Sequence, residues 1–375
     1  MHIHRPTFIQ LENGLIRVAF VFTDNQYKKH NLVFELPEEH LNLEQMASAL
    51  YLSLLLPAYS QGGVLKTDEP ISKQLSENSQ TILDIMHKWF PYGFKKELDL
   101  VNIQSFQETV RRPKHKVASF FTGGIDSMNT FLKHKDEIDC LIYVHKDDCL
   151  HKFKPKNLFM RNSEVQNVKA FAKKYNKELI EVATDVRTYA KGMTNWTSQY
   201  HGSLFASIAI LLSKDIGKFY FGSSHSYRSL TPYASHPALD YLFETEDMRF
   251  IHDGAESTRI DKIKRISERP DVFPYLHFGC GQEDCPRTEK CIRTMMMLDI
   301  IGIRQDCPWC NKHDYTLEQV RAITLSGESD FSKAKEMYWA MTHKPKMKEL
   351  REAIKFYMDV YLERKSKQRA YPYSF

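Results

Sequence analysis

Two kinds of apolar pattern divide the chain. Up to about residue 110, alternating runs read as an antiparallel pair, with Leu15–Phe22 as one strand and Asn31–Leu36 as its hairpin partner. Helical spacing follows from about Leu43 to Leu56, where Pro57 is expected to end it. It returns from about Ser72 to Phe90, with Ile82, Ile85, Met86 and Trp89 on one face. The polar stretch Arg111-Arg112-Pro113-Lys114-His115 reads as a linker. From Lys116 the pattern changes. Apolar runs at Lys116–Phe121, Ile138–His145, Glu178–Val182 and Lys218–Gly222 alternate with helical segments at Met128–Lys135, Ser163–Tyr175 and His201–Leu212. That alternation predicts an α/β fold, a parallel sheet with crossover helices. Charged helical segments fill 312–375 as a C-terminal cap. The expected units are an N-terminal α+β domain (1–110), an α/β domain (116–270) and a C-terminal region (271–375).

Composition narrows the class. With 375 residues, 42% hydrophobic and 26% charged, the chain has the make-up of a globular protein. No apolar run approaches the roughly 20 residues of a membrane span, and the start MHIHRPTF lacks a secretory apolar core, so a cytoplasmic, non-membrane protein is expected. Seven cysteines in such a chain point to metal or thiol chemistry, not to a disulfide framework. The formal charge of +5 suits anionic substrates without singling out nucleic acid. Nine Lys/Arg against three Asp/Glu over 145–177 read as solvated surface, with a phosphorylated or RNA substrate as the alternative.

Candidate chemistry begins where the first α/β strand ends. Phe121-Thr122-Gly123-Gly124-Ile125-Asp126-Ser127 runs straight into a helix. Adjacent glycines allow a sharp turn that leaves peptide N–H groups uncovered, and the helix adds its own free N–H groups and positive dipole end. Thr122 and Ser127 add hydroxyls, and Asp126 can hold magnesium against the same anion. Together these make a pyrophosphate pocket. The plainer alternative is a glycine turn between strand and helix.

The motif TGGIDS resembles the SGGxDS loop of the PP-loop ATP pyrophosphatases, with Thr122 in place of the first serine. The resemblance implies a HUP-like parallel sheet and ATP cleaved between its α and β phosphates. It further implies AMP transferred to a substrate oxygen, with Thr122, Gly123, Gly124, Asp126 and Ser127 on the nucleotide.

Further along, Ser223-Ser224-His225-Ser226, Ser235-His236-Pro237 and His252-Asp253-Gly254 precede Ser257-Thr258-Arg259 and Lys262. Helical spacing puts Glu256, Arg259 and Lys262 on one face, where the basic pair can reach phosphates or form a solvated Glu–Arg pair. The block is similar to the corresponding part of 7-cyano-7-deazaguanine synthase-like proteins. That likeness implies catalytic roles for Arg259 and Lys262 and nucleotide contacts for Ser223 and Ser224. His225, His236 and His252 each read equally as loop histidines.

Five of the seven cysteines lie within 31 positions: Cys280, Cys285, Cys291, Cys307 and Cys310. Such spacing in a polar loop suits tetrahedral zinc, the alternatives being a redox or persulfide pair at Cys307/Cys310 and free core thiols. Cys285–Met295 resembles a zinc knuckle of the same enzymes, with Thr288 replacing one cysteine. The implied reaction is ATP- and magnesium-dependent adenylation of a small-molecule or nucleobase acceptor, then attack by nitrogen to give an amide or nitrile. His2 stands where an N-terminal glutaminase would need cysteine, so ammonia or a donor protein is expected. Sulfur transfer through Cys149 or the Cys307/Cys310 pair, or a non-catalytic nucleotide-binding subunit, are the alternatives. A homodimer is compatible with either.

Overall fold

The computed structural model describes residues 1–94, 97–100, 115–145, 158–277, 289–307, 310 and 313–370. Within them lies a sheet of eleven strands. In chain order these are β1 (His2–Ile3), β2 (Thr7–Gln10), β3 (Leu15–Thr23), β4 (Lys29–Pro37), β5 (Gly63–Thr67) and β6 (Leu98–Leu100). Then come β7 (Lys116–Phe120), β8 (Cys140–Val144), β9 (Glu178–Thr184), β10 (Ile216–Gly222) and β11 (Arg249–Asp253). Their spatial order is β11-β10-β7-β8-β9-β4-β3-β1-β5-β6, with β2 paired to β3. Strands β7 to β11 are mutually parallel, and β4 joins β9 antiparallel through Phe34↔Thr184 and Glu35↔Ala183. The units expected at 1–110 and 116–270 therefore share one sheet.

The helices are α1 (Met46–Gln61), α2 (Lys73–Trp89), α3 (Ile125–His134), α4 (Leu158–Lys174), α5 (Val186–Ala190) and α6 (His201–Leu211). They continue with α7 (Arg259–Ser267), α8 (Glu289–Ile301), α9 (Leu317–Arg321), α10 (Glu328–Ala340) and α11 (Lys348–Ala370). Side-chain alternation along the strands feeds two apolar layers. Ala118, Phe120, Cys140, Ile142, Ile180, Val182 and Phe219 join the N-terminal strands, α1 and α6 in one layer. Phe121, Leu141, Tyr143 and Tyr220 face the other, with α3, α7, α8 and the C-terminal helices. Burial on both faces explains why these strands read as continuous apolar runs.

The structure is α/β, as the alternating pattern predicts, and departs from the sequence reading in three places. Helix α1 continues through Pro57. A proline there leaves the carbonyl four residues earlier, on Ser53, without its helical N–H. The Tyr200 hydroxyl, on the neighbouring segment, donates to that carbonyl at 2.7 Å, and both residues are fully buried. A tertiary hydrogen bond removes much of the cost that makes proline a helix breaker.

Strand β11 was not expected from its mixed residues. Its Asp253 is buried because Thr130, Lys133 and His134 all bind the carboxylate, at 2.8, 2.7 and 2.9 Å. Finally, α7 begins at Arg259 behind a Thr258–Asp261 capping box, so Glu256 lies outside it and pairs with Lys133 instead.

Candidate active site

Strand β7 lies between β8 and β10. The chain leaves it toward β8 and β9 on one side and returns to β10 and β11 on the other, which makes the end of β7 the topological switch point. The Gly–Gly turn sits there. Gly123 has φ +72°, and a Cβ on it would lie 2.7 Å from the Tyr275 carbonyl oxygen. Its own carbonyl accepts the His277 N–H at 2.7 Å. Gly124 is the extended N-cap of α3, and no side chain caps that helix. The Ser127 hydroxyl turns back, donating to the Gly124 carbonyl at 3.1 Å and accepting the Thr122 N–H at 3.4 Å. Gly222, at the end of β10, lets the start of α3 come close; a Cβ there would sit 2.9 Å from the Asp126 backbone.

Asp126 organises the charge. Its Oδ2 accepts from the Arg259 guanidinium, and its Oδ1 faces Lys262 Nζ at 3.2 Å. Lys262 is fully buried and also donates to the Ser223 carbonyl. Burial alone would raise the Asp126 pKa; the charges of Arg259 and Lys262 outweigh it and bring it down to about 2. Desolvation also pulls down Lys333 of α10, followed by repulsion from Arg259 and Arg293, to about 8. Asp126 thus meets two cations, a local arrangement suited to an anion, while Lys333 and Arg293 both face Asp330 at 3.5 Å.

Asp126 and Arg259 edge a cavity of about 230 Å³. Thr122, Gly124, Asp126, Ser127, Arg259, His277, Lys290 and Thr294 form its polar side; Phe120, Ile142, Val144, Phe205 and Phe221 form an apolar wall. The polar side offers peptide and cationic donors, and the wall offers flat apolar surface for a ring system. Lys290 and Thr294 are neighbours on one face of α8, and sequence reasoning missed both. They stand beside Cys291, where spacing of the cysteines drew attention away from the intervening side chains. Lys333 carried no sequence signal, because only folding brings α10 within reach of the Arg259 charge.

Other expected residues fall elsewhere. The Ser223 hydroxyl is used inside its own turn, bonding the His225 carbonyl at 2.7 Å, so its carbonyl and not its hydroxyl meets Lys262. Ser224 bonds Tyr233. Neither serine lines the cavity. Burial, then the Lys333 and Arg259 charges, lower His225 to about 3, and its Nε2 lies 3.1 Å from the Ser329 hydroxyl. Asp185, just past the end of β9, accepts the Val33 N–H at 2.8 Å and extends the β4–β9 junction.

Among the cysteines, Cys291, Cys307 and Cys310 are buried and free of disulfides. A hydrogen bond with Cys307, then burial, pushes the Cys310 thiol far up. Cys280, Cys285 and Cys149 lie outside the described residues, as does the 111–114 linker segment. No helix among the described residues is long and apolar enough to cross a membrane.

Comparison with known proteins adds no family: no protein-family model, curated protein or solved structure gives a significant match to this chain.

Proposed function

We propose that the chain is an ATP pyrophosphatase of the PP-loop type with a HUP-like sheet. It would adenylate a carboxylate or carbonyl oxygen and pass the activated carbon to nitrogen. One observation carries this reading: a hydroxyl–Gly–Gly–x–Asp–Ser turn stands at the switch point of parallel strands, with Arg259 and Lys262 gathered on its Asp126. The uncapped α3 start and the 122–124 peptides would hold the polyphosphate, while Arg259 and Lys262 stabilise the charge that grows on departing pyrophosphate. The apolar wall would take the base or a planar acceptor. Substrate oxygen attacks the α-phosphorus and pyrophosphate leaves. Nitrogen then adds to the activated carbon, AMP departs with the oxygen, and the proton on nitrogen is lost to solvent.

Asp126 also fits magnesium. Each carboxylate oxygen keeps a lone pair beyond its contact with Arg259 or Lys262, and the ion would offset phosphate charge there. Zinc would draw on the soft thiols of Cys291, Cys307 and Cys310, with Cys280 or Cys285 completing the set, but the three buried sulfurs do not all lie within 4.8 Å of one another, so binding would have to draw them together. The sulfur-transfer alternative needs an accessible thiolate; the hydrogen bond with Cys307, then burial, makes Cys310 a poor one, and Cys149 lies outside the described residues.

The test is product analysis with α-labelled ATP, magnesium and candidate acceptors, using ammonia, amine or sulfide as donor. AMP and pyrophosphate, with mass added to an acceptor, are expected. ADP and orthophosphate, or no turnover, would overturn the proposal; a sulfide-dependent product would move it to thiolation.

A further inference from the structure

A second site lies at the start of the chain, away from the cleft. His2 and His4 are two apart on an extended segment, so their side chains share one face of the sheet. Asp68, just past β5, meets both. His2 Nε2 contacts Oδ1, and His4 Nδ1 lies 3.3 Å from Oδ2. All three ligand atoms lie within 4.8 Å of one another.

Backbone hydrogen bonds fix the three positions. Asp68 N donates to the Ile3 carbonyl and His4 N to the Val21 carbonyl, each at 3.0 Å, and His2 pairs in register with Thr23. The Thr23 hydroxyl bonds His4 Nε2 at 2.8 Å. Because a hydroxyl can accept as well as donate, Thr23 can take the Nε2–H and leave the Nδ1 lone pair available to a metal.

We propose that His2, His4 and Asp68 bind a first-row divalent metal ion such as zinc. Two imidazoles and a carboxylate give the mixed nitrogen–oxygen set that zinc accepts and that magnesium and calcium, which want oxygen throughout, do not. Tetrahedral legs of about 2.0–2.1 Å put neighbouring donors roughly 3.3 Å apart, the spacing already found between His4 and Asp68. The Thr23 hydroxyl supplies the outer contact that metal-bound histidines usually make through their second nitrogen. His2 is 30% and Asp68 42% exposed at the side chain, so a fourth ligand would come from solvent. The ion would tie the first strand to the end of β5. This site shares no residue with the cleft or the cysteine cluster, so it stands whether or not the proposed reaction does.

Cobalt titration of the untagged, chelator-treated full chain tests it. Wild type and Cys291→Ser should both bind one ion whose visible bands lack thiolate charge transfer. His4→Ala and Asp68→Asn should weaken that ion's binding at least about tenfold, with circular dichroism unchanged. Thr23→Ala should weaken it by a smaller factor. In parallel, zinc should shift the imidazole resonances of His2 and His4 in wild type but not in Asp68→Asn. Equal binding by wild type, His4→Ala and Asp68→Asn would overturn the site. So would a wild-type dissociation constant of about 1 mM or weaker, the value of scattered surface histidines.

Discussion

The parallel strands carry a charged cluster at each end, and the two clusters are built for opposite purposes. At the amino ends, His40 is enclosed by Glu178 at 2.6 Å and Asp215 at 3.0 Å, and Lys116 bridges the same carboxylates at 3.1 and 3.0 Å. Glu39 stands 4.0 Å from the same imidazole, and Glu178, Asp215 and Lys116 are each at least a third exposed. His40, which arrives from just beyond β4, is buried. At the carboxyl ends, Asp126 pairs with the side chains of Arg259 and Lys262, with Lys333 close enough to feel the Arg259 charge. That end opens into a cavity. Carboxylates and bases shared around a buried histidine hold parts together; cations beside a cavity invite an anion.

The sharpest way to break this contrast is at Asp126. Asp126→Asn should lower ATP turnover by about a thousandfold, read as AMP release, because it removes the group that places both cations. It should also cost about 3 kcal/mol in urea unfolding, since two nearly buried cations lose their partner. The acid limb adds a sign. A carboxyl held at about 2 against an ordinary 3.8 stabilises the fold above pH 4, by about 2 kcal/mol, and that support drains away as pH falls toward 2. The asparagine variant should show a flatter acid limb. Unchanged turnover would remove Asp126 from the chemistry.

His40→Ala is the converse. It should cost about 2–4 kcal/mol of stability, because a buried side chain and its two carboxylate contacts vanish together. Turnover per folded molecule should stay within about twofold of wild type. A large loss of turnover in folded protein would mean that the two ends are coupled.

Lys333 gives a subtler reading. Protonated below about 8 and neutral above, it should let the apparent KM for ATP rise as pH climbs from 7 to 9. Lys333→Met should flatten that rise, with an effect of several-fold. Its lowered pKa also means that the folded protein binds fewer protons than the unfolded chain between about 8 and 10.5, so this lysine makes stability increase with pH across that window. The smallest effect belongs to neither cluster. Tyr200→Phe should cost about 1–2 kcal/mol, the value of leaving the buried Ser53 carbonyl unmatched at Pro57.

Local pattern made much of this molecule legible, and its failures are instructive. The strands of the parallel sheet and the loop at 122–127 are written in continuous stretches, where buried faces and glycines leave a local mark. Pro57 misled because its partner, the Tyr200 hydroxyl, is far away in sequence. Strand β11 was hidden because Asp253 and His252 look unsuited to a sheet until Lys133, His134 and Asp240 are beside them. Within the cleft, Asp126, Arg259 and Lys262 were readable as types, but not their mutual ion pair. Lys290, Thr294 and the apolar wall had no motif of their own; they become a surface only when α8, α6 and β10 converge.

The junction between β4 and β9 has a thermal consequence. Backbone pairing there involves two residue pairs, with the Asp185–Val33 contact and the His40 links beside them, so the apolar packing of α1 against α6 is a substantial part of what joins the N-terminal strands to the parallel ones. Apolar contact of that kind weakens as water is cooled, whereas hydrogen-bonded ladders do not share that dependence. Refrigeration, not warming, is therefore the storage condition expected to loosen this seam first, with Trp196 fluorescence beside the α6 start as its gauge.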